Sequence, residues 1–98
     1  MAIVIEGFQF SGPHYHTRQF NQKFGCVYII INNRNQIVDV GETGDANSRL
    51  INHERKMCWY NNGVGETGLY IYISNDQNFR ILLEKLIRNK YNPQCGDR

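Results

Sequence analysis

No apolar stretch in this sequence runs longer than Cys26 to Ile31, far too short to cross a bilayer. The opening residues, Met1-Ala2-Ile3-Val4-Ile5-Glu6, lack the basic region and cleavage site of a secretory signal, so a soluble cytoplasmic protein is expected. Cysteine is sparse and odd in number. Cys26, Cys58 and Cys95 are widely separated and form no Cys-x-x-Cys pair, which suggests neither a disulfide framework nor a zinc site. Three thiols in a reducing compartment are expected instead. Charge of one sign is not in excess either: 11 Lys and Arg against 9 Asp and Glu give a net charge of +2. That balance permits nucleic-acid binding without demanding it. Repeats, linkers and low-complexity tracts are missing, and 98 residues allow one domain (1–98) with a single modest core.

What is present is clustered. Arg49, His53, Arg55 and Lys56 share one segment, and Arg80, Lys85, Arg88 and Lys90 another. Residues 3 to 10 alternate loosely and read as a strand, broken by Ser11-Gly12-Pro13. His14 to Lys23 reads as loop. Gly25 to Ile31 is β-branched and apolar on both faces, as a central strand would be, and Ile37 to Gly41 returns after the Asn32–Gln36 turn. Asp45 caps a helix expected to run to about Trp59, with Ala46, Leu50 and Met57 on the core face and Arg49, His53 and Lys56 on the adjoining one. Leu69 to Ile73 reads as a strand. Phe79, Leu82, Leu83, Leu86, Ile87 and Tyr91 mark a final amphipathic helix that Pro93 ends. The fold class is α/β (α+β): a small mixed β-sheet with a central hairpin, covered by helices.

Four side chains carry the chemistry of phosphodiester hydrolysis. A hard cation such as Mg²⁺ accepts one carboxylate and completes its shell with water and phosphate oxygens, a role open to Glu84. Arg49 can clamp phosphate oxygens with a planar fork that never loses its charge. His53 can exchange a proton near neutral pH. Tyr28 can hold a water, or deprotonate it if a cation lowers its ordinary pKa of about 10. Taken singly, the same residues read more plainly. Tyr28 is then a half-buried sheet aromatic, Arg49 and His53 a solvated helix face, and Glu84 a partner of Arg80 and Arg88 one turn away. Asp39 is then a polar residue on the exposed face of a strand. His14 and His16 alternate as metal ligands can, but no third ligand lies nearby in sequence, and a loop with surface aromatics is expected.

In register, these residues resemble the GIY-YIG nuclease family. Cys26-Val27-Tyr28 occupies the first motif and Asp39-Val40-Gly41 the second, with Ser48-Arg49-Leu50 where the family's arginine falls. His53 stands where members carry histidine or tyrosine. Leu83-Glu84-Lys85-Leu86-Ile87, running on to Tyr91-Asn92-Pro93, is similar to the family's glutamate helix, so the likeness spans residues 25 to 97. It implies a metal-dependent endonuclease hydrolysing DNA with Mg²⁺ or Mn²⁺. The implied catalytic residues are Tyr28, Arg49 and His53, with Glu84 on the metal. Arg55, Lys56 and Arg88 are candidates for flanking phosphates. So small an enzyme has little surface for reading base edges, so its sequence specificity is expected to be weak or to need a homodimer or a separate specificity partner. Three departures stand out. Gly25 precedes Tyr28 by one position too many, Cys95-Gly96-Asp97 replaces an asparagine, and Asp39 replaces the second tyrosine. Asp39 is either a second metal ligand or base, or a charge that repels phosphate. In the latter case the chain is a catalytically degenerate nucleic-acid-binding or protein-interaction module.

Overall fold

The computed structural model describes residues 2–96; Asp97, among the departures from the family pattern, lies outside them. Strand β1 (Ala2–Ile5) turns at Glu6-Gly7 into β2 (Phe8–His14), pairing Ile5 with Phe8. Both turn residues have positive φ, 53° and 82°, the conformation that closes a two-residue hairpin with the natural strand twist. The segment read as one strand is therefore a hairpin. Ser11-Gly12-Pro13 does not break it but lies within β2, where a Cβ on Gly12 would sit 2.7 Å from the Leu69 carbonyl.

Next come β3 (Cys26–Ile31), β4 (Ile37–Thr43) and β5 (Leu69–Ile73), giving the order β1-β2-β5-β3-β4 with every described pairing antiparallel. The β3–β4 turn is tied by Asn32, whose side-chain oxygen accepts from the backbone of Arg34 and Gln36 at 3.0 and 2.9 Å. β3 is apolar on both faces because both are covered. Tyr28 and Ile30 pack with Leu50 and Trp59 on one side, and Val27 and Ile29 with Leu83 and Ile87 on the other. Ile30 opposes Asp39 but Ile31 opposes Ile37, so Val38 is a bulge residue. β4 lies at the end of the sheet. Its outward carbonyls are covered by the amide of Cys95 on Val38, 2.8 Å away, and by the Arg88 guanidinium on Val40.

The helix expected from Asp45 to Trp59 is two short ones, α1 (Ala46–Leu50) and α2 (Lys56–Asn61). Asp45 does cap the first, accepting from Ser48. Within the break, His53 Nδ1 accepts the Arg55 amide at 3.1 Å, a side-chain bond that competes with helical pairing. The reorientation leaves Met57 71% exposed and turns Trp59 into the core instead. α3 (Gln77–Tyr91) starts at Asp76, whose carboxylate accepts the Phe79 amide, and ends at Asn92 in the left-handed region. Its buried line is Arg80, Leu83 and Ile87, while Leu82 and Leu86 face out.

Cys58 and Cys95 form a disulfide, correcting the expectation of three free thiols; only Cys26 is free, and it is buried. Cysteine usage thus no longer supports a reducing compartment. Among the described residues no helix is long and apolar enough to cross a membrane.

Candidate active site

A cleft of about 600 Å³ opens where β3, β4, the α1–α2 turn and α3 meet. Tyr28, Arg49 and Glu84 line it together, although 56 residues separate the first from the last. A larger hollow of about 800 Å³ lies between β1, the β3–β4 turn and the end of α3; among its lining side chains only Arg34 carries a charge.

Tyr28 is placed by cross-strand pairing with Gly41, where the missing side chain leaves room for the phenol. The hydroxyl lies 2.6 Å from His53 Nε2. The direction of that bond follows from the other ring nitrogen. Burial, then the charges of Arg49, Arg55 and Lys56, lowers the His53 pKa from 6.5 to about 3, so the ring is neutral and carries one proton. Nδ1 accepts from the Arg55 amide, so the proton is on Nε2 and is donated to Tyr28. Tyr28 itself is pushed up to about 12 by burial, opposed by the charges of Arg49 and Arg55. His53 therefore does not take the Tyr28 proton in this arrangement; it supports the phenol oxygen as a donor.

Arg49, on α1, holds Glu54 at 3.1 Å while remaining about one third exposed toward the cleft. Glu84, on α3, accepts from Arg88 Nε at 2.8 Å. Glu42 also lines the cleft but is engaged by Arg80 at 3.0 Å, so Arg80 is not the partner of Glu84 that helical spacing suggested.

Asp39 does not face solvent as a period-two strand implies. It is fully buried and accepts five N–H bonds: from the Val40 amide at 2.8 Å, Arg55 Nε at 2.8 Å and Nη2 at 3.3 Å, Trp59 Nε1 at 2.7 Å and Arg88 Nη2 at 3.3 Å. A carboxylate so enclosed is neither a metal ligand nor a base for water, and its charge is balanced rather than turned on a phosphate. Two of the basic residues expected to meet DNA, Arg55 and Arg88, are the ones that balance it. The third, Lys56, leaves the cleft to donate to the His16 carbonyl at 3.0 Å. His16 is buried against Trp59 and Tyr60 and bonds the Gly65 carbonyl, whereas His14 bonds Ser11, so the two histidines share no ligand.

Lys85 and Asn89 line the cleft beside Glu84 and Arg88. The sequence carried the signal for them, since residues 84, 85, 88 and 89 lie on one helical face. Trp59 and its indole bond gave no such signal.

The cleft's two carboxylates, Glu42 and Glu84, are each held by an arginine, so any cation there would take few protein ligands. No group of three or more His, Cys, Asp or Glu side chains placed to share a metal occurs among the described residues. A zinc or calcium cage would need more ligands than this; a magnesium-like ion, which takes one or two carboxylates with water and phosphate, would need Glu84 released from Arg88.

Comparison with family models, curated proteins and solved structures returns no match.

Proposed function

We propose that the chain is a small DNA endonuclease of GIY-YIG type that hydrolyses phosphodiester bonds with Mg²⁺ or Mn²⁺. The observation that carries this reading is the meeting of Tyr28, Arg49 and Glu84 in one cleft. These are the residues the family resemblance assigns to water, phosphate and metal.

Glu84 would hold the cation, which supplies Lewis acidity toward the phosphate and its water. Arg49 offers its guanidinium fork to the non-bridging oxygens, where negative charge grows as water attacks phosphorus. Tyr28 orients that water. Its phenolate, disfavoured by burial, gains from the His53 N–H and from the nearby Arg49 and Arg55 charges. Lys85 and Asn89 extend the cleft toward neighbouring phosphates.

A second reading, a nucleic-acid-binding module without turnover, is favoured by one observation: only 1% of the Tyr28 surface is exposed. A phenol so enclosed meets water only if the cleft opens on binding DNA.

The test is incubation of the purified protein with supercoiled plasmid in Mg²⁺, Mn²⁺ or EDTA. Metal-dependent nicking supports the enzyme. Salt-sensitive DNA binding without cleavage supports the module.

A further inference from the structure

Glu84 is not free. Arg88 holds it at 2.8 Å, and a carboxylate committed to a guanidinium is a poor ligand for a cation. For Glu84 to turn to a metal, Arg88 must release it while staying largely buried, its side chain 15% exposed. A buried guanidinium left without a counter-charge is strongly disfavoured. With Glu84 as sole anionic partner, the pair would stay closed.

Asp39 changes that balance. Arg88 reaches across the end of the sheet to Asp39 Oδ1 at 3.3 Å, and also donates to the carbonyls of Val40 and of Cys95. Asp39 is itself fixed by Arg55 Nε and Trp59 on its other oxygen and by Arg55 Nη2 on the oxygen Arg88 uses, so it does not follow Arg88 or Glu84 if they move. When Glu84 leaves, Arg88 keeps Asp39, whose one charge it shares with Arg55, and two carbonyls. We propose that Asp39 is a positioning residue: it retains Arg88 as the standing counter-ion and so frees Glu84 for a divalent cation. This rests on the reading of Glu84 as the metal ligand. It makes the aspartate that replaces the family's second tyrosine part of the metal site's machinery, acting through Arg88.

The test measures Mn²⁺ binding by the loss of the free-ion electron paramagnetic resonance signal. It compares wild type with Asp39→Asn, Arg88→Met, the double variant and Glu84→Gln. Emission of Trp59, the single tryptophan, follows the fold. Without the Asp39 charge, Arg88 closes on Glu84, so Asp39→Asn should bind Mn²⁺ about tenfold more weakly. Plasmid cleavage by that variant should recover at saturating Mn²⁺. The double variant, with no arginine on Glu84, should return to near wild-type affinity. Arg88→Met alone should bind Mn²⁺ as tightly as wild type or better, a result that does not depend on Asp39→Asn folding. Unchanged affinity in Asp39→Asn, failure of the double variant to restore it, or weakened binding in Arg88→Met would overturn the proposal. Wild type binding no more Mn²⁺ than Glu84→Gln would overturn both this and the nuclease reading.

Discussion

Tyr28 and Gly41 face each other across β3 and β4, and the phenol of one occupies the space where the other has no side chain. A Cβ at residue 41 would overlap the Tyr28 hydroxyl and ring carbon, both part of a packed core rather than a flexible chain end. Gly41→Ala should therefore displace the phenol from His53 and destabilise the fold by about 1–3 kcal/mol, as overpacked cores do. Urea unfolding checks the stability. Loss of nicking in protein that remains folded checks the displacement.

The buried His53 makes stability depend on acid. Its folded pKa, about 3, lies below its ordinary value of 6.5, so the unfolded chain binds the proton more readily. The contribution is fully present above pH 6.5 and is lost progressively as pH falls toward 3. Burial shifts His14 and His16 in the same direction. Unfolding free energy should thus fall between pH 7 and 4, and His53→Asn should flatten part of that slope. Cleavage between pH 6 and 8 should show no histidine-like inflection from His53.

The disulfide joins α2 to the segment after α3 across a sequence separation of 37 residues. Cross-links closing loops of this size stabilise by about 3–4 kcal/mol in the chain-entropy view. Cys58→Ser, or reduction of the wild type, should lower the denaturant midpoint accordingly. An unchanged midpoint after complete reduction would deny the bond a stabilising role.

Basic residues around the cleft should separate into two classes. Arg55→Ala leaves Asp39 short of a buried partner and should cost about 3–5 kcal/mol of stability. Lys85 forms none of the ion pairs found among the described residues, so Lys85→Ala should leave the melting temperature unchanged. It should instead weaken DNA binding and reduce the salt slope by about one unit. Calorimetry and titrations at several salt concentrations distinguish the classes.

What the sequence revealed and what it hid follow from range. The β3–β4 hairpin, the Asp45 cap and α3 are written in local patterns, and those patterns placed Tyr28, Arg49 and Glu84 on elements that do meet. The helix break after Leu50 was hidden because helical periodicity continues through it and says nothing of side-chain bonds such as that of the Arg55 amide to His53 Nδ1. Asp39 was read as exposed because strand alternation says nothing of a bulge at Val38, nor of guanidinium groups arriving from 16 and 49 residues away. Cys58 and Cys95 carried no pairing motif; only the fold brings them together. Arg55 and Arg88 do line the cleft, but their ion pairs with Asp39 were out of sequence range.

The central claim is that Glu84 and Tyr28 share one metal-dependent hydrolytic site. The most direct measurement is supercoiled plasmid nicking by wild type, Glu84→Gln and Tyr28→Phe, each with Mn²⁺ and with EDTA, after Trp59 emission has shown all three folded. Wild type should nick with metal only, and each variant should lose at least about two orders of magnitude. Nicking by Glu84→Gln at the wild-type rate, or by wild type in EDTA, would contradict the claim.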